Sequence, residues 1–176
     1  VDDTVNFQVY GNMEPQKAAT EAVRETEGQI LCQNGEAVEA YYFSTSAGVT
    51  STDEIWGSDE AAPYLRSVPC KFDEEEPWSS WIVELPWKML EDRIREKGKG
   101  TVLRSVTVTR RSESGAATAL EAVSDKDSCI IENEYEIRKF LAPVNCMITE
   151  KDGTETTGGS LLPSAYFELE RTQNGN

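Results

Sequence analysis

Three short β-prone runs that follow one another with only turns between them leave this chain little choice of sheet. Val102 to Arg110 alternates, with Val102, Arg104, Val106, Val108 and Arg110 on one face, the period of a half-buried strand. The turn pair Ser114-Gly115 comes next, then Ala119 to Val123, then Cys129-Ile130-Ile131. Strands joined by turns pair antiparallel, because a parallel pair needs a crossover of about a dozen residues or more. The same logic applies upstream. Gly28 to Gln33 and Ala37 to Ser44 flank Asn34-Gly35, a strong hairpin signal. Pro63 to Pro69 predicts a short extended segment bounded by prolines, and Trp81 to Leu85 a further strand. Asn145 to Thr149, a turn at Lys151-Asp152-Gly153, and Ala165 to Leu169 are expected to close the chain as strands.

Three short helices are interspersed. Pro15 to Thr26 carries Ala19, Ala22, Val23 and Thr26 on one face, with Pro at its start and Gly28 after its end. Pro86 to Lys97 carries Trp87, Leu90 and Ile94 inward and stops at Gly98. Asn133 caps a third, with Ile137, Phe140 and Leu141 pointing inward. The fold class this predicts is α+β, mostly antiparallel sheet with three short helices. A single domain over 1–176 is expected, with Gly98-Lys99-Gly100 as the one place for a subdomain junction. There is no βαβ alternation, GxGxxG turn or P-loop, so nucleotide binding has no support.

Charge and composition narrow the chemistry. The net charge of -15 disfavours nucleic acid as a partner, since phosphate would be repelled. The acidic run Asp73-Glu74-Glu75-Glu76 reads as a solvated loop ahead of Pro77-Trp78, with cation binding as the alternative. Histidine is absent, which removes the usual neutral-pH acid/base group and the commonest metal ligand. Cys32, Cys70, Cys129 and Cys146 are widely separated and lack zinc spacing. Cys32, Cys129 and Cys146 sit among apolar neighbours, as buried free thiols do, although sequence does not reveal pairing. No apolar run approaches the roughly 18 residues of a membrane helix. The chain opens at Val1-Asp2-Asp3 without an initiator methionine and is expected to be an excised piece.

One stretch points to a site. Tyr41-Tyr42-Phe43 is read as an aromatic strand that runs into Ser44-Thr45-Ser46-Ala47-Gly48-Val49-Thr50-Ser51, followed by Asp53-Glu54-Ile55-Trp56-Gly57. Small hydroxyls hydrogen-bond without bulk, glycine lets a ligand approach the backbone, and aromatic rings offer stacking faces. That combination suits a groove for a polar polymer such as a glycan. The competing reading is a Ser/Thr-rich turn satisfying its own backbone above a buried Trp. Tyr41 and Tyr42 would point to opposite faces of the strand, so Tyr42 is taken as the one facing the groove. A serine nucleophile at Ser44 or Ser46 would need a base, and the chain has no histidine to offer.

The order of motifs resembles the stage II sporulation protein D family, whose relatives include the amidase enhancer of bacterial cell walls. Carrying the resemblance are Gln8-Val9-Tyr10, Ala22-Val23-x-Glu25-Thr26-x-Gly28-Gln29-Ile30-Leu31, Ala40 to Gly48, Ile55-Trp56-Gly57 and Pro63-Tyr64-Leu65-Arg66-Ser67-Val68. Later segments continue it: Ser114-Gly115, Glu136-Ile137-Arg138-Lys139 and Leu162-Pro163-Ser164-Ala165-Tyr166-Phe167.

The resemblance implies a sporulation-type peptidoglycan lytic transglycosylase of Firmicutes-like endospore formers, acting in the cell envelope during engulfment. Its chemistry needs one carboxylic acid, which protonates the glycosidic oxygen and then accepts a proton from the muramic-acid hydroxyl closing the anhydro ring. In the family that Glu lies upstream of the segment matching Val1, so no catalytic residue is expected here and the chain alone is expected not to cleave. The alternative is a non-catalytic wall-binding or amidase-enhancing module. Substrate contacts implied by the matched motifs are Tyr42, Ser44, Thr45, Ser46, Gly48 and Thr50. Glu54 is expected to be structural or substrate-contacting, and Trp56 to stack on a sugar or pack under the loop. Arg66 would bind a stem-peptide carboxylate or pair with an acid. Some relatives hold zinc through Cys and His at positions that are Asp2, Asn6 and Phe7 here; phenylalanine cannot ligate, so no metal and no cofactor is expected. Partners would be peptidoglycan glycan strands and other engulfment or wall-hydrolase proteins, outside the cytoplasm.

Overall fold

The structure is a computed structural model, and it describes residues 14–51 and 62–172. Cα packing divides the chain into two units, meeting between Tyr41 and Tyr42. The Gly98-Lys99-Gly100 segment lies inside the second.

In the first unit, α1 (Lys17–Glu25) is followed by β1 (Cys32–Gln33) and β2 (Glu36–Ala37). Asn34 (φ 53°) and Gly35 (φ 85°) both take positive φ, as a two-residue hairpin turn of the I′ type demands. The ladder is shorter than the expected one. Gln29 N–H donates to Thr26 O, which closes the end of α1 and leaves only a few residues for the first arm. The ladder ends with Val38 N–H→Leu31 O, and Tyr41 to Ser44 is irregular chain and not the aromatic strand expected. The alternation that would have sorted Tyr41 from Tyr42 is therefore not realised. Cys32 is exposed, against expectation, and Cys70, Cys129 and Cys146 are half-buried; all four are free thiols.

The second unit holds two antiparallel three-stranded sheets. One is β4 (Leu103–Arg111), β5 (Ala117–Ser124) and β6 (Ser128–Glu132) in sequence order. The other is ordered β3-β7-β8, from Trp81–Val83, Met147–Glu150 and Glu155–Thr157. Two helices, α2 (Trp87–Glu96) and α3 (Glu134–Phe140), cover the first sheet, and the core forms where they meet it. Leu90 and Ile94 of α2, Leu103, Leu120 and Ile131 of the sheet, and Ile137, Phe140 and Leu141 at α3 make that cluster with Leu162. The helix ends follow their sequence. Asn133 Oδ1 accepts Glu136 N–H at 2.9 Å, and the Arg93 guanidinium donates to Phe140 O and Ala142 O beyond the other end.

Two expectations need correcting. The alternation of β4 is not continuous: register shifts follow Leu103, Val108 and Arg110. Each bulge moves the pleat by one residue. Of the residues expected on one face, Val106 and Val108 are half-buried while Val102, Arg104 and Arg110 are exposed, and Leu103 is buried. Likewise, Ala165 to Leu169 is not a strand. It is tied down by Ala117 N–H→Ala165 O (2.9 Å) and by Arg111 donating to Phe167 O (2.8 Å). The strand that returns along β7 is Glu155–Thr157, whose polar side chains hid it.

Candidate functional site

A pocket of about 370 Å³ opens in the second unit, within the size range of ligand clefts, roughly 300–1,000 Å³. The inner face of the β3-β7-β8 sheet forms one wall through Trp81, Ile148 and Thr156. These three share a face because Ile148 pairs with Thr156 in the ladder, and Trp81 lies two residues along from Val83, the partner of Ile148. The turn before β3 adds Trp78 and Ser79. A second wall is irregular chain from Gly158 to Tyr166, and the third is Ser44 to Ala47.

The hydroxyl-rich loop is held by its own side chains. Ser46 is buried; its N–H donates to Asp73 Oδ2 at 2.8 Å and its hydroxyl to Cys70 O at 3.4 Å. The Cys70 thiol reaches the same Asp73 oxygen at 3.7 Å. These donors, the Ser46 N–H foremost, hold the Asp73 carboxyl below the usual carboxylate range. Further on, Gly48 O accepts Cys70 N–H and Thr50 N–H donates to Val68 O, both at 2.9 Å, around a bridge between Val49 and Pro69. Gly48 turns with φ 85°, which a residue with a Cβ resists. The Thr50 hydroxyl accepts Val68 N–H (2.9 Å) and donates to Arg66 O (3.3 Å).

Ser51 joins the loop to the opposite wall. The Tyr166 phenol donates to Ser114 Oγ at 2.8 Å, so it accepts from Ser51 Oγ at 2.6 Å. That uses the phenol proton and leaves the Tyr166 ring as the part available to a ligand. The wall behind Leu161, Pro163 and Ser164 is fastened by Arg138. Its guanidinium donates to Leu162 O (2.7 Å) and Pro163 O (3.2 Å) while paired at 2.5 Å with Glu134.

Of the residues expected to contact substrate, the structure brings Ser44, Thr45 and Ser46 to the pocket. Gly48 and Thr50 shape the loop behind it. Tyr42 and Arg66 are exposed and do not line it. Glu54 and Trp56 lie outside the described residues, as do Asp2, Asn6 and Phe7. Sequence reasoning missed Trp78, Trp81, Thr156, Gly158 and Tyr166 as lining residues. Gly158-Gly159 was the one local signal among them.

Two properties define what the pocket can do. Among the described residues every lining side chain is uncharged, in a chain of net charge -15. Moreover, the hydroxyls of Ser46, Ser79, Thr156, Thr157, Ser164 and Tyr166 all have partners within the protein. Those of Ser44 and Thr45 have none among the described residues. No set of three metal-ligating side chains comes together among the described residues, and no described helix is long and apolar enough to cross a membrane.

Over 89 residues the chain is 39% identical to stage II sporulation protein D of Bacillus subtilis (strain 168), a match covering 44% of this chain. It is 34% identical over 94 residues to the amidase enhancer of the same organism, covering 53% of this chain. The chain is thus similar to sporulation protein D and the amidase enhancer over about half of its length. The match spans 26% of the length of the first relative and 13% of the second. A protein of Brachyspira hyodysenteriae aligns with 99% of the chain at 26% identity, over 42% of its own length. No family model and no solved structure matches. Two of the family motifs, Glu136-Ile137-Arg138-Lys139 and Leu162-Pro163-Ser164, meet in space through the Arg138 hydrogen bonds.

Proposed function

We propose that this chain binds the glycan strand of peptidoglycan in the pocket between Ser44–Ala47, the β3-β7-β8 sheet and the Gly158–Tyr166 wall. One observation carries the reading: a cleft that, among the described residues, is neutral, with indole and phenol rings on its walls and two hydroxyls without a partner. An uncharged sugar polymer is matched by such a surface, through stacking and through hydrogen bonds to hydroxyls. A phosphate or a carboxylate would find no cation there.

Support for a role at the cell wall comes from the names of the relatives, sporulation protein D and amidase enhancer. Scission of the glycan would require a carboxylic acid within hydrogen-bond reach of the glycosidic oxygen. Among the described residues no carboxylate lines the pocket. The chain by itself is therefore proposed to hold glycan outside the cytoplasm without cutting it, as the substrate groove of a lytic transglycosylase. The second reading, an amidase-enhancing module that presents glycan to a separate hydrolase, is favoured by the same lack of a lining acid.

Co-sedimentation with purified peptidoglycan, whose muramic-acid lactyl groups are capped as amides and so uncharged, tests the proposal. The wild-type chain should pellet, and Ser44→Ala/Thr45→Ala should lose most of that binding with its melting temperature unchanged. Undiminished binding by the double variant removes this loop from the site. Anhydro-muropeptides released by the chain alone would overturn the binding-only reading.

A further inference from the structure

Glu150 is more than nine-tenths buried, and among the described residues it makes no ion pair. It lies on the inner face of the β3-β7-β8 sheet, directly across from Trp81 in the ladder and two residues from Ile148. Trp81, Ile148 and Thr156 line the pocket, so this carboxylate lies beside the lining residues on the same face, without itself lining the pocket. Among the described residues its one side-chain hydrogen bond comes from Thr156, whose hydroxyl donates to Glu150 Oε1 at 2.6 Å. Burying a carboxylate with so few partners is costly, and an apolar β-branched residue would suit the strand better. The group calls for a role beyond packing.

We infer that Glu150 is a positioning residue that fixes the Thr156 hydroxyl as an obligate acceptor facing the pocket. A threonine hydroxyl has one proton and two lone-pair sites. With the proton given to Glu150, only lone pairs remain for a ligand. This point of the wall therefore selects a hydrogen-bond donor, a sugar hydroxyl or the N–H of an acetamido group, and rejects a bare acceptor. Ser44 and Thr45, whose protons are uncommitted among the described residues, can serve acceptors elsewhere on the pocket lining. The inference rests on the glycan reading of the pocket.

The test is calorimetric titration of the full chain with a soluble tetrasaccharide of alternating N-acetylglucosamine and N-acetylmuramic acid whose lactyl carboxyls are capped as amides. Thr156→Val, isosteric but unable to accept, should weaken binding about tenfold, the loss of one ligand hydrogen bond. Thr156→Ser should restore it. Glu150→Leu should weaken binding to a similar degree, and Glu150→Gln, which keeps a carbonyl acceptor for the threonine proton, should not. The deciding readout is the double variant: if Glu150 acts through Thr156, then Thr156→Val/Glu150→Leu binds no worse than Thr156→Val alone. Losses that multiply, or full affinity in Thr156→Val, overturn the inference while leaving the glycan reading intact. If Glu150→Leu does not fold, the Thr156 pair and Glu150→Gln decide by the same criteria. Absence of binding by the wild-type chain overturns both.

Discussion

Arg138 is where the fold and the pocket wall are most tightly joined, and Arg138→Met should show it. The guanidinium pairs with Glu134 one turn back in α3 and donates to two carbonyls of the chain behind Pro163 and Ser164. Side-chain exposure is 24% for Arg138 and 12% for Glu134, so the pair is largely out of water. Methionine keeps most of the stem packing and removes the charge. It leaves a buried carboxylate without its cation and two carbonyls without a donor. Breaking a buried pair by deleting one partner costs about 3–5 kcal/mol, and the residual exposure here argues for the lower end, ~3 kcal/mol. At roughly 4 °C per kcal/mol for a domain of this size, the melting temperature should fall by about 12 °C. Circular dichroism melts read this directly. Much of the loss comes from the stranded carboxylate, so Glu134→Gln/Arg138→Met should recover about 1–2 kcal/mol of it. Arg138→Lys should fall between, since one ammonium cannot replace a fork that serves two carbonyls. A single variant within 0.5 kcal/mol of wild type, or a double variant no better than the single, would refute the reasoning.

A Cβ on Gly158 would lie 2.3 Å from Pro143 O and 2.6 Å from Pro143 Cγ, and Pro143 is fully buried. Gly158→Ala should therefore cost about 1–3 kcal/mol by overpacking and displace the pocket rim, visible as a lower melting temperature together with weakened glycan pelleting. Asp73 anchors the Ser46 N–H with its carboxyl held below the ordinary range. The sign follows: the anchor is complete above the unfolded carboxylate value, and is lost as pH falls below about 4 through the lower folded value. Glycan pelleting should be flat from pH 7 to 5 and decline only in that acid window, whereas Asp73→Asn should be weak throughout; a decline already under way at pH 6 would exclude Asp73 as its cause.

What the sequence reveals of this chain is what neighbours in sequence decide. The β4-β5-β6 sheet is legible because its strands are consecutive, and the third helix because Asn133 caps it three residues before the N–H it accepts. The first hairpin shows in Asn34-Gly35, since only residues tolerant of positive φ make that turn. The β3-β7-β8 sheet is of another kind. Trp81 meets Glu150 across more than sixty intervening residues, and no local pattern announces that pairing. The bulges of β4 are equally silent, because each depends on what the partner strand does opposite it.

The candidate site divides along the same line. A hydroxyl-rich stretch from Ser44 to Ser51 reads as one surface, yet the fold gives its members different work. Ser46 and Thr50 spend their hydroxyls on the backbone of the 66–70 segment, and Ser51 spends its own on Tyr166. Ser44 and Thr45 have no hydroxyl partner among the described residues. The self-satisfying turn thus holds for Ser46, Thr50 and Ser51, and the binding rim is the proposal for Ser44 and Thr45. The division follows from partners that lie 16 to 115 residues away in the chain. A rim built this way is rigid before a ligand arrives, because the hydroxyls behind it are already committed. Preorganisation of that kind lowers the ordering cost of binding, so two free hydroxyls on a fixed loop can contribute more than five on a mobile one.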